Sequence, residues 1–88
     1  MKQEQWNKFL DKKIIKPGAR VSAQVRTYGI GGDQISVMKE LSVINVNRGG
    51  GIGHFVRDHT ENYTFHYETV TEVDSMTPER LAKAYNIK

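Results

Sequence analysis

The 88-residue sequence carries 13 Lys and Arg against 10 Asp and Glu, a net charge of +3, and no cysteine. That length holds one small domain, residues 1–88, and the missing cysteine excludes disulfide staples and thiolate metal or redox sites. No apolar run approaches the roughly 20 residues that span a bilayer, and the opening MKQEQWNKFLDKK lacks a signal peptide's apolar core, so a cytoplasmic protein with no membrane partner is expected.

Residues 3–14 predict an amphipathic helix, because Trp6, Phe9, Leu10 and Ile14 recur at spacings of three and four. Pro17 and Gly18 then turn the chain. Residues 19–28 predict a strand with one wet face. Ala19, Val21, Ala23 and Val25 alternate with Arg20, Ser22, Gln24 and Arg26. The small alanines call for a bulky cover, for which Trp6 and Phe9 are the candidates. YGIGGDQ, residues 28–34, predicts a turn.

A second strand is expected over 35–47. Leu41 and Val43 share one phase, while Ile44 and Val46 share the other, which predicts a bulge or bend. A glycine loop separates it from a strand over 53–59, and a turn over HTEN leads to a last strand over 62–73. In that strand Tyr63, Phe65 and Tyr67 are assigned to the core. Thr77 as N-cap, Pro78 at the first position and Glu79 in the first turn predict a helix over 78–86.

The order helix, four or five strands, helix implies an α+β domain. Its antiparallel sheet is small and strongly bent, or curls into an SH3-like open barrel. PGARV, residues 17–21, resembles the opening of a KOW-type barrel; that motif's glycine and hydrophobic spacing does not continue, so no functional residue is carried over. TPERLAKAYNIK resembles the first helix of a helix-turn-helix. No reader helix follows before Lys88, so the expected role is capping of the barrel.

NRGGGIGHF, residues 47–55, holds four of the eight glycines. A Walker loop needs Lys and a hydroxyl after its last glycine, and here His54 and Phe55 follow Gly53. A dinucleotide fingerprint fails at its sixth position, where His54 stands. The expectation is a mobile hairpin tip. Gly50 at its centre offers backbone to a partner, and Arg48 and His54 flank it as anion grips.

A hairpin turning near residue 60 would set His54 opposite His66, with Asp58 or Glu68 nearby and His59 in the turn. Two histidines fall short of the three or four ligands of a zinc site, and no metal or cofactor is expected. No serine sits in a nucleophile elbow, and Glu72 and Asp74 lie where a helix start accounts for them. No catalytic residue is assigned, and a non-enzymatic module is expected.

Arg20 and Arg26 project from the wet face of the first strand, with Tyr28 following, and Arg48 and Arg57 flank the glycine loop. Guanidiniums grip phosphates and aromatic rings stack bases. The first expectation is therefore a nucleic-acid-binding regulator or accessory factor, of a bacterium or phage. Arg20, Arg26, Arg48 and Arg57 would meet phosphate, and Tyr28 and Phe55 would stack. The alternative is an adaptor or inhibitor that docks on an acidic protein surface or lends a sheet edge, as monomer or homodimer. In the blander case these arginines only solvate the sheet, paired with Glu40, Asp58, Glu68 and Glu72.

Overall fold

The computed structural model describes residues 1–87, except for the side chains of residues 58–60. It is an α+β fold of two helices and a five-stranded antiparallel sheet. The elements are α1 (Gln3–Asp11), β1 (Arg20–Tyr28), β2 (Gln34–Asn47), β3 (Gly50–Phe55), β4 (Asp58–His66), a 3-10 turn (Tyr67–Thr69), β5 (Glu72–Val73) and α2 (Pro78–Ala84). The sheet order is β4-β3-β2-β1-β5. β4 and β5 are both edges, so the bent sheet does not close into a barrel.

α1 stops three residues before the predicted end at Ile14. Lys13 adopts a left-handed conformation (φ 57°). Its N–H donates to Leu10 O and the Ile14 N–H to Phe9 O, at 3.0 and 2.9 Å. This is a Schellman closure, and Ile14 is the apolar residue beyond the cap that packs beside Phe9. The apolar spacing was read correctly, but it ran past the helix into its own stop signal. α2 closes the same way at Ala84, two residues before the predicted end at 86: Asn86 is left-handed and Ile87 N–H donates to Ala82 O, 2.8 Å. At its start Thr77 accepts from Arg80 N–H at 3.4 Å, as predicted.

Val21, Ala23 and Val25 of β1 are buried as the alternation requires. β2 carries the predicted irregularity as a bulge between Val43 and Asn45. Leu41 and Val43 therefore enter the core while Ile44 is left exposed. α1 covers the inner face: Trp6 and Phe9 are fully buried and join Ala23, Leu41, Val73 and Leu81 in one cluster. Trp6 Nε1–H donates to Asn47 O at 2.9 Å, so the indole is both packed and satisfied. Its ring meets Phe65 edge-on and stacks on Tyr67.

Three expectations are corrected. The glycine run is not a mobile tip, because Gly50 to Gly53 lie within β3. A Cβ at Gly51 would stand 2.5 Å from Asn45 O and 2.9 Å from Phe65 Cζ. These glycines let backbone and ring approach closely. The following hairpin turns at residues 56–57, not near 60, with Phe55 opposite Asp58 and Gly50 opposite His66. His54 and His66 are thus not cross-strand neighbours. The last strand does not run over 62–73. It ends at His66, where Thr69 Oγ1 donates to His66 O and His66 Nδ1 accepts from Glu68 N–H. That turn sends the chain across to β1 as β5, pairing Val73 with Val21.

Candidate functional site

A concavity of about 880 Å³ lies where a closed barrel would have its seam. Gln24 to Tyr28 of β1 form one wall, and Glu61 to His66 of β4 with Gly50 to Ile52 of β3 form the other. Its cause is topological. β5 is only two residues long and pairs with β1 at Val21 and Ser22 alone, so the outer half of β1 keeps an open edge.

The backbone phase of that edge follows from its paired half. Ser22 O accepts from Thr71 N–H, and Arg20 O from Asp74 N–H. Gln24 N–H donates to Thr69 Oγ1 at 3.3 Å. Even-numbered residues of β1 therefore turn their amides and carbonyls away from β2. Arg26 and Tyr28 continue the phase, and no described residue pairs with their backbone groups. Their side chains point out beside one another: Arg26 is exposed, and Tyr28 is 71% exposed. The rest of the lining is mostly neutral and hydrogen-bonding, including Asn62, Thr64 and His66. Among the described residues Glu61 is the one carboxylate in it, and it accepts from Tyr63 OH at 2.8 Å.

Of the residues singled out from the sequence, Arg26, Tyr28 and Gly50 meet in this groove. The other five do not join them. Arg20 lies six residues from Arg26 on β1, roughly 20 Å along the strand. The row between them places Glu40 and Glu72 on either side of Ser22, so the outer face mixes charges. Arg48 is engaged by α1, with Nη2 2.8 Å from Asp11 Oδ1 and Nη1 donating to Asn7 O. Arg57 lies in the β3–β4 turn, and His54 sits opposite Ser42. Phe55 is half-buried; its ring stacks on Tyr63 at 4.4 Å, with Lys39 Nζ 4.8 Å from its centre. No single basic face unites the four arginines.

Of the three aromatics assigned to the core, only Phe65 is buried. Tyr63 and Tyr67 are half-buried, with hydroxyls turned to Glu61 and Glu68. Desolvation raises the Tyr67 pKa above 10.0, and the Glu68 carboxylate raises it further. Asp74 serves β1 rather than a helix start, accepting from Arg20 N–H at 3.0 Å. Among the described residues no three His, Asp or Glu gather where a cation would bind. The Asp58 and His59 side chains, weighed above, lie outside those described. No helix is long and apolar enough to cross a membrane among the described residues.

The densest run of cations lies at the start of the chain. Residues 2–20 hold Lys2, Lys8, Lys12, Lys13, Lys16 and Arg20 against Glu4 and Asp11. The signal was visible in KKIIK, but strand alternation drew attention to the arginines instead. Lys13 and Lys16 stand with Arg48 around a shallow basin of about 510 Å³ whose floor includes Leu10, Pro17 and Val46.

The chain matches no protein-family model, no curated protein and no solved structure.

Proposed function

We propose that the chain is a non-enzymatic binding module, a regulator or accessory factor, that holds single-stranded nucleic acid in the groove between β1 and β4. One observation carries the reading: Arg26 and Tyr28 stand two residues apart on one strand face, at the mouth of a groove lined mainly by neutral hydrogen-bonding groups. The guanidinium takes a phosphate and the exposed ring takes a base. Gln24, Asn62 and Thr64 meet base edges or sugar. A groove with so few cations binds weakly and with a shallow salt dependence, a slope of about −0.7 in log K per phosphate engaged.

The test is anisotropy of labelled single-stranded DNA and RNA across salt. Arg26→Gln flattens the slope by about one phosphate. Tyr28→Leu lowers affinity by about 1–3 kcal/mol and leaves the slope unchanged. Both side chains are exposed, so folding is unaltered in either variant. No binding at low salt refutes the reading.

A second reading draws on a separate observation, the open backbone edge at Arg26 and Tyr28. An extended segment of a protein partner would add a strand there, making the chain an adaptor or inhibitor. Such binding survives Arg26→Gln and is insensitive to salt.

A further inference from the structure

We propose that this chain associates head to tail with copies of itself, the β1–β2 hairpin tip of one seating in the lysine-rimmed basin of the next. The inference stands apart from the nucleic-acid reading and uses different residues.

The tip is an apolar knob with an acid beside it. Ile30 is fully exposed and Ile35 is 43% exposed, with Asp33 between them in sequence. It is nonetheless an ordered turn: Gly29 N–H donates to Asp33 O at 2.8 Å, and Gly32 N–H to Gly29 O. Gly31 and Gly32 take positive φ, which makes this reversal possible. A large aliphatic side chain presented on a closed turn, with nothing of its own chain over it, gains from burial elsewhere.

The basin is its complement. Leu10, Pro17 and Val46 form an apolar floor, Lys13, Lys16 and Arg48 stand around it, and among the described residues no carboxylate lines it. Asp11 already engages Arg48, so the two lysines hold the unmet charge. Ile30 fits the floor and the Asp33 carboxylate meets the lysines.

Geometry decides that the contact is between copies. The tip, residues 29–33, immediately precedes the start of β2 at Gln34, while the basin lies near that strand's far end, at Val46. Twelve residues of strand separate these ends by roughly 40 Å, comparable to the 46 Å length of the whole molecule. A tip therefore cannot reach its own basin. Each copy offers one knob and one socket on opposite ends, a heterologous contact that extends into a series or closes into a ring. A hairpin tip covers less than the roughly 1,200–2,000 Å² of a standard interface, so the association is weak and transient.

Sedimentation velocity across protein concentration tests this. The wild-type chain shows a sedimentation coefficient that climbs with concentration and falls back with added salt. Ile30→Asp lowers the association constant at least tenfold, and Asp33→Lys and Lys16→Asp each weaken it. Mixing the Asp33→Lys and Lys16→Asp chains restores association with the two chains alternating, because the unaltered Asp33 of one meets the unaltered lysines of the other and the new lysine meets the new aspartate. All three sites are exposed, and circular dichroism confirms that the variants fold. A monomer at every concentration up to about 1 mM overturns the proposal, as does Ile30→Asp assembling like wild type, or a mixture that fails to associate. None of these outcomes bears on nucleic-acid binding, which Arg26→Gln and Tyr28→Leu report separately.

Discussion

Gly51→Ala adds one methyl group at the point where β3 passes between β2 and the Phe65 ring. The new carbon would stand 2.5 Å from Asn45 O, 2.9 Å from Phe65 Cζ and 3.1 Å from Phe65 Cε1. Carbon atoms in good contact sit about 3.5–4.0 Å apart, so the ring or the strand must move by roughly half an ångström or more. Phe65 is 3% exposed and held edge-on by Trp6, so the ring has little room to retreat. Overpacking of this kind costs about 1–3 kcal/mol, and the added overlap with backbone oxygen places this case at about 2–3 kcal/mol. For a domain this size that lowers Tm by roughly 10–20 °C. Gly49→Ala is the control. Its nearest neighbour would be Asn47 Oδ1 at 3.4 Å, and it should change stability by less than about 0.5 kcal/mol. Urea titration followed by fluorescence of the single, buried Trp6 measures both, read as a shift of midpoint at constant m. Equal stability of the two variants would mean that β3 is not packed as described and that the run is a free loop after all.

Two further outcomes follow from the same contacts. Thr77→Ala removes the side-chain acceptor at the start of α2 and should cost about 1 kcal/mol, while Thr77→Ser restores most of it; a neutral Thr77→Ala in urea titration would refute the cap. Tyr67 should titrate above 10.0 by ultraviolet absorbance against a Tyr67→Phe reference, and Glu68→Gln should lower it only part of the way, because desolvation is the larger cause. The folded state holds this proton more tightly than the unfolded chain. Its contribution to stability is therefore full below pH 10 and is lost as pH rises through the folded pKa; a Tyr67 that ionises before the unfolded chain's phenols would reverse that sign.

Local periodicity was enough to place β1, the bend in β2 and α2. In each, side-chain alternation or a capping residue acts within a few positions and needs no distant partner. Val21, Ala23 and Val25 face the core for that reason, and Thr77 caps and Pro78 opens α2. The candidate site was only partly legible. Arg26 and Tyr28 were found because they share a strand face two residues apart. Arg48 looked equally free, yet a carboxylate 37 residues earlier in the chain engages it.

By itself, then, the order of residues settled that α1, β1, the bent β2 and α2 form and which faces of α1 and β1 are apolar. The tertiary structure decided the rest. NRGGGIGHF reads as a flexible loop until Phe65 and the carbonyl of Asn45 are laid against it; only then is the absence of side chains a packing requirement. The turn at residues 56–57, the early end of β4 and the short β5 that leaves β1 open all depend on contacts between distant residues. Charge grouping is of the same kind. Sequence counts cations, but only the folded chain sets Lys13 and Lys16 beside Arg48 and places Glu40 and Glu72 between Arg20 and Arg26.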